Sequence, residues 1–129
     1  MRGIPNVVTF QAPHFLTENI SDSEDLFEAE AHLSQFLAVQ LAESGLKVGK
    51  GIEERKVHCV SRKVEVGNKA FWILVSYEGL EWTVTIMPNW VRYIILGPTN
   101  SVQMERLRDL IDQALRQDER ITDIEWRSG

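Results

Sequence analysis

The sequence contains a single cysteine, Cys59, among 129 residues, and it lacks any long apolar run. One cysteine excludes an internal disulfide, which is typical of a protein from a reducing compartment. A transmembrane helix needs about 20 consecutive apolar residues, and no stretch approaches that length. The opening Met1-Arg2-Gly3-Ile4-Pro5 has no apolar region behind a basic start, so it lacks the pattern of a signal peptide. We therefore expect a cytoplasmic protein that does not bind a membrane.

Motifs for catalysis, metal binding and cofactor binding are also lacking. The three histidines, His14, His32 and His58, do not have the spacing of metal ligands. His58 and Cys59 are neighbours on a predicted strand, so their side chains point to opposite faces. The stretch Gly49-Lys50-Gly51 has glycine where a phosphate loop needs Ser or Thr to hold magnesium. We expect no catalytic, cofactor-binding or metal-binding residues, and the sequence does not favour an enzyme.

Basic residues are in the minority, because 14 Lys and Arg face 19 Asp and Glu and give a net charge of −5. Nucleic-acid binding needs a dominant basic surface, so no nucleic-acid partner is expected. The acids are concentrated in residues 1–46 and the bases in residues 47–69. Four acids near the start of the first predicted helix form a candidate electrostatic patch: Glu24, Asp25, Glu28 and Glu30. Either these charges are solvated and compensate the bases, or the patch steers a basic partner protein.

Length and composition predict a single α+β domain over residues 1–129, with 43% hydrophobic and 26% charged residues. The first of two amphipathic helices begins near Ser21 and Glu24, which have capping-box spacing, and ends at Gly45. Its apolar residues recur at intervals of three and four: Leu26, Ala29, Leu33, Phe36, Leu37 and Leu41. The second helix carries a similar stripe: Val102, Leu107, Leu110, Ile111, Ala114 and Leu115.

Between the helices, residues 57–96 predict four antiparallel strands joined by tight turns. The turns are predicted at Gly67-Asn68, Glu78-Gly79 and Pro88-Asn89. Short strands are also predicted at 7–10, 46–48 and 121–126, and a mobile loop at 49–54. The predicted fold is a mainly antiparallel sheet of about five strands packed on two helices, in the order (β)-α-β-β-β-β-α-β.

The second predicted turn fixes the pairing of the two central strands. It sets Tyr77 opposite Leu80 and Val75 opposite Trp82. These four residues share one face of the sheet, which is predicted to pack against the core. The reverse face then carries a set of large residues that we predict to be a partner or dimer interface: Trp72, Leu74, Met87, Trp90, Arg92 and Ile94. The alternative is that one helix covers each face, in which case these residues are ordinary core.

A second alternative is a pocket for a small ligand or an enzymatic site. The first predicted turn, Gly67-Asn68, places Arg62 on the core face opposite Ile73, where a charged residue is unusual. Either it reaches the solvent from an edge strand, or it lines a pocket together with His58, Tyr77 and Tyr93.

The chain resembles the small bacterial immunity proteins that neutralise toxins. The resemblance is carried by the helix start Ser21-Asp-Ser-Glu-Asp-Leu26, the hairpin from Phe71-Trp-Ile to Gly79-Leu-Glu-Trp82, and the closing Ile121-x-x-Ile-Glu-Trp126. Size, acidity and the sheet are also similar to secretion chaperones, which are dimers. The resemblance implies a protein-binding module that sequesters or masks a partner protein, acts without a cofactor, and contacts either that partner or a second copy in a homodimer.

Overall fold

The computed structural model describes residues 5–16, 23–88 and 102–128, and it confirms an α+β fold with the predicted order of elements. The described residues form two α-helices, α1 (Ser23–Glu43) and α2 (Val102–Gln117). In the same part of the chain, the sheet has seven strands rather than about five. They are β1 (Val7–Gln11), β2 (Lys47–Val48), β3 (Ile52–Glu54), β4 (Cys59–Val66), β5 (Lys69–Glu78), β6 (Glu81–Pro88) and β7 (Thr122–Arg127).

The described strands lie in the order β2-β4-β5-β6-β1-β7, and β3 also pairs with β4. Every pairing is antiparallel. The strand predicted at 7–10 is an inner strand of the described sheet, because β1 lies between β6 and β7. The prediction of a mobile loop at 49–54 was wrong for Ile52–Glu54, which pairs with β4 as a short strand.

The hairpin between β4 and β5 has the predicted two-residue turn. Val66 pairs with Lys69, and Gly67 adopts a positive φ of 63° that suits a glycine in a tight turn. This register places Arg62 opposite Ile73. The predicted pairing of β4 with β5 is thus confirmed.

The hairpin between β5 and β6 turns one residue later than expected, which shifts each pairing partner across it by two residues. Its central residues are Gly79 and Leu80, with φ of 62° and 67°, so Tyr77 pairs with Trp82 rather than with Leu80. The prediction of Glu78-Gly79 as the turn was therefore wrong. The observed turn was hard to predict, because leucine rarely adopts the positive φ that Leu80 has here. A shift of two residues keeps every side chain on its predicted face, since side chains alternate with period two. The turn predicted at Pro88-Asn89 and the strand after it lie mostly outside the described residues.

Both described helices pack on one face of the sheet, which we call the inner face. Buried residues of α1 and α2 join those of β4, β5, β6 and β1 in one cluster. The fully buried side chains include Leu33 and Leu37 from α1 and Leu107 and Ile111 from α2. Truncation of one such leucine to alanine costs about 2–5 kcal/mol of folding free energy. The interpretation in which one helix covers each face of the sheet was therefore wrong for the two described helices.

Candidate functional site

The sheet face opposite the helices, which we call the outer face, carries three of the six predicted interface residues as neighbours. Trp72 pairs directly with Met87 across β5 and β6, and Leu74 follows Trp72 on the same face. All three side chains are partly exposed. The other three predicted interface residues, Trp90, Arg92 and Ile94, lie outside the described residues. The apolar patch formed by Trp72, Leu74 and Met87 is the part of the predicted interface that the structure brings together.

Small hydroxyl-bearing residues surround the apolar patch. Thr85 pairs with Leu74 on one side and with Val7 on the other, and Ser76 pairs with Thr83. Glu54 Oε1 accepts a hydrogen bond from Ser61 Oγ at 3.0 Å, which ties β3 to β4. The outer face therefore combines an apolar patch with side chains that can donate and accept hydrogen bonds, as interfaces commonly do.

The acidic patch at the start of α1 is smaller than the sequence predicted. Glu24 is exposed and forms an ion pair with Arg55, with an Nη1–Oε1 distance of 2.6 Å. Glu28 is exposed and Asp25 is partly exposed. Glu30, however, is fully buried, so its assignment to a surface patch was wrong. It lies on the side of α1 that faces the sheet, one turn before the buried Ser34.

The buried carboxyl group of Glu30 joins α1 to two other parts of the fold. Its Oε2 accepts a hydrogen bond from the backbone N–H of Tyr77 at 2.9 Å. Its Oε1 lies 3.4 Å from His58 Nδ1 and has no hydrogen-bond partner among the described residues. Burial raises the pKa of Glu30 above its usual value, although the Tyr77 hydrogen bond and the neighbouring His58 oppose that shift.

His58, in the turn before β4, lies next to the carboxyl group of Glu30. Its ring stacks on Phe27 of α1, with centroids 4.1 Å apart and planes 22° apart. Its backbone has a φ of 49°, a left-handed conformation that costs an ordinary residue free energy. Arg55 also lies over the Phe27 ring, 5.1 Å from its centroid. These contacts fasten the β3–β4 turn to α1.

Arg62 is buried, and its hydrogen bonds go to neutral acceptors. Its Nε donates to Ser34 Oγ at 3.1 Å, its Nη1 to the Gly49 carbonyl at 2.7 Å, and its Nη2 to Gln35 Oε1 at 3.4 Å. Burial lowers the pKa of Arg62. The guanidinium group is thus enclosed by α1 and the segment after β2.

The structure does not assemble the alternative pocket as the sequence described it. His58 and Tyr77 meet at Glu30, but Arg62 is directed to Ser34 and Gly49. The Tyr77 ring packs on Trp82, with centroids 5.0 Å apart. Tyr93 lies outside the described residues. No local pattern indicates that Glu30 would connect His58 and Tyr77, because an acid in the first turns of a helix is usually solvated.

A cleft of about 540 Å³ opens between the later turns of α1 and the end of α2. Its lining is Phe36, Gln40, Ala114, Gln117, Asp118, Glu119 and Arg120. Hydrogen bonds from Arg120 lower the pKa of Asp118 to about 2, and Asp118 Oδ2 also lies 3.2 Å from His14 Nε2. Asp118 and Arg120 of the cleft are therefore already paired with each other.

Metal binding and nucleophilic catalysis gain no support from the described part of the chain. Residues 5–16, 23–88 and 102–128 contain no group of three or more His, Cys, Asp or Glu that could hold a metal ion. Cys59 is buried, and burial raises its pKa to about 11, which disfavours the reactive thiolate. Neither described helix is long and apolar enough to cross a membrane.

Comparison with known proteins found no matching family model, no matching curated protein and no matching solved structure. The candidate site is therefore argued from its own geometry, in which the partly exposed apolar patch on the outer face is the clearest feature.

Proposed function

We propose that the protein is a protein-binding module that holds a basic partner protein on the outer face of its sheet. One observation carries the proposal. Both described helices pack on the inner face, while Trp72, Leu74 and Met87 form a contiguous, partly exposed apolar patch on the other. Trp and Met are enriched at the centres of protein interfaces, where burial of their remaining exposed surface favours association.

The size of the outer face sets the scale of the interaction. On the flanking strands β1 and β4, the outer-face residues Val7, Thr9 and Ser61 are buried. The two central strands β5 and β6, about 4.8 Å apart and about eight residues long at about 3.3 Å per residue, cover roughly 250 Å². A standard interface buries about 800 Å² on each partner. The partner therefore contacts the neighbouring turns and rim as well, where Lys63, Glu65 and Arg127 are at least partly exposed. These mixed charges supply polar contacts at the rim rather than a charged centre.

The charge of the whole chain supports a basic partner. A net charge of −5 attracts cationic proteins, mainly within the Debye length of about 8 Å at physiological salt. Glu24, Asp25 and Glu28 lie on the helix side, away from the apolar patch. They accelerate the encounter, whereas the outer face provides the contact. Association should accordingly slow as salt is raised, while dissociation changes little.

The resemblance to immunity proteins gives this proposal a specific form. The partner is then a basic toxin, such as a nuclease, that the protein masks in the cytoplasm. Co-expression with that toxin should protect cells, and a variant with a polar outer face should fail to protect them. A secretion-chaperone function would instead show a secreted protein bound without any protection from a toxin.

The test begins with the partner itself. Protein retained from a native lysate is identified by mass and purified, and its affinity is measured for the wild type and for Trp72→Ser with Leu74→Ser. We expect the double variant to bind roughly 10- to 100-fold more weakly, because residues central to an interface each contribute 1 kcal/mol or more. A thermal unfolding measurement checks that the double variant is still folded.

Val57→Ser is the matched control, because Val57 is an apolar residue with 69% of its surface exposed in the β3–β4 turn, away from the outer face. It should bind the partner as the wild type does. Equal affinity for the double variant and the wild type would overturn the proposal. So would a retained partner that is acidic, or retention of nothing but a second copy of the chain.

A further inference from the structure

Among the described strands, β7 lies at one end of the sheet and has one unpaired edge. One edge of β7 pairs with β1, and no described strand pairs with the other edge. The opposite end of the sheet is different, because β2 and β3 are only two and three residues long. An open edge of six residues presents unpaired backbone N–H and C=O groups, which is a template for another strand.

A bulge limits which part of β7 can pair. Asp123 has a φ of 56°, and the pairing with β1 shifts between Thr9 and Gln11. The regular part of the strand is therefore Ile124 to Arg127. Within it, Glu125 and Arg127 are exposed, whereas Ile124 and Trp126 are partly buried on the helix side.

We propose that the open edge of β7 pairs antiparallel with β7 of a second copy of this chain, centred on Trp126. In this arrangement Glu125 of each copy lies opposite Arg127 of the other, which makes two ion pairs. The two sheets join into one continuous sheet, with the helices of both copies on the same side. This interface is separate from the outer-face patch, and it goes beyond the proposed binding of a partner protein.

The charges select this register over its neighbours. Pairing centred on Glu125 sets the two Glu125 carboxylates against each other. Pairing centred on Ile124 sets Asp123 against Glu125 and includes the bulge. A shift of one residue from the proposed register sets Ile124 against Arg127 and puts the helices of the two copies on opposite faces. Only the register centred on Trp126 pairs opposite charges within the regular part of the strand.

Trp126 is held in place for this contact. Its Nε1 donates a hydrogen bond to Asp112 Oδ1 at 2.9 Å, and the Arg108 guanidinium lies 5.3 Å from its ring centroid. Because α2 fixes the indole, little side-chain freedom is lost when two such rings meet across the symmetry axis. Exposed ion pairs add little free energy, so Glu125 and Arg127 determine the register more than the strength of the dimer.

Charge reversal tests the pairing directly. Glu125→Arg and Arg127→Glu each set like charges opposite one another in a homodimer, so each alone should weaken self-association at least roughly tenfold. An equimolar mixture of the two variants restores both ion pairs and should form a heterodimer. Sedimentation equilibrium over a concentration series, at physiological salt, measures all three species.

Glu43→Arg and Lys50→Glu are the controls, because they change the net charge equally at exposed positions away from β7. Neither should alter dimerisation. Trp72→Ser should also leave it unchanged, which separates this interface from the outer face. The proposal is overturned if the wild type stays monomeric up to about 0.5 mM, a concentration at which even a weak pair associates. Dimerisation of the single variants like the wild type, or no heterodimer in the mixture, would overturn it too.

If a charge variant fails to fold, a cross-linking measurement tests the proposed register instead. Directly opposed residues of antiparallel strands have Cα atoms about 4.5–5.5 Å apart, within the range that a disulfide bridges. Under mild oxidation, a mixture of Glu125→Cys and Arg127→Cys proteins should form an intermolecular disulfide faster than either protein alone. Cys59 does not compete, because it is buried. No preferential cross-linking in the mixture would contradict the register.

Discussion

The fully buried carboxyl group of Glu30 accepts a hydrogen bond at 2.9 Å from the backbone N–H of Tyr77, which lies 47 positions further along the chain. The bond joins α1 to β5 close to the end of that strand. A buried N–H without an acceptor costs about 1–3 kcal/mol, so this single acid fixes how the helix sits on the sheet.

Replacement of Glu30 by alanine should therefore destabilise the fold by about 2–3 kcal/mol, since it removes the acceptor and leaves a small void. Glu30→Gln keeps an acceptor oxygen for the Tyr77 N–H and should cost clearly less. Urea denaturation of both variants measures the difference. Equal losses for alanine and glutamine would mean that packing, not the hydrogen bond, is what Glu30 contributes.

The same residue should give the stability a characteristic pH dependence. Because burial raises the pKa of Glu30 above 4.5 in the folded state, the folded protein binds that proton more tightly than the unfolded chain. This contribution to stability is complete below pH 4.5 and is lost as the pH rises through the folded-state pKa. Glu30→Gln cannot titrate there, so its stability relative to the wild type should rise from pH 4.5 to pH 7. A constant difference over that range would contradict the burial of an ionisable group.

Leu80 offers a simple route to greater stability. It is 78% exposed and has a φ of 67°, a conformation that asparagine and glycine tolerate better than leucine. Leu80→Asn should therefore stabilise the protein by about 0.5–1 kcal/mol, seen as a higher urea midpoint at an unchanged slope. Val57→Asn, also exposed but without a positive φ, should change stability by less than about 0.5 kcal/mol. A loss of stability in the Leu80 variant would show that the leucine side chain makes a contact of its own.

The fold should tolerate replacement of Arg62 by methionine, which removes the charge, better than replacement by lysine, which keeps the charge but changes the shape of the charged group. Methionine retains the apolar stem but leaves Ser34, Gly49 and Gln35 without their donor. Removal of the buried cation offsets most of that loss, so Arg62→Met should cost no more than about 1 kcal/mol. Lysine keeps the charge but cannot reach Ser34, Gly49 and Gln35 together, and should cost about 2–3 kcal/mol. Chemical denaturation ranks the two variants. If lysine is tolerated better than methionine, the positive charge itself is required at this position.

The hydrophobic pattern was enough to predict the fold class and the two faces of the sheet. Alternation along β5 placed Phe71, Ile73 and Val75 in the core, and the one-residue error at the Gly79-Leu80 turn did not disturb it, because it shifted the pairing by two residues. The pairing partner of β1 could not be predicted, because a five-residue strand carries no local signal of where in a sheet it pairs. Glu30 was misplaced for a related reason, since its acceptor role depends on Tyr77, which is distant in sequence.

The place of β1 in the sheet has a consequence for how the fold is completed. Among the described strands, β7 is paired with β1 alone, and β1 is in turn paired with β6. The two ends of the described chain thus depend on each other, although more than a hundred positions separate them. Removal of residues 7–11 would leave β7 without its pairing strand. A deletion near one end of the described chain would therefore also detach residues 122–127 from the sheet.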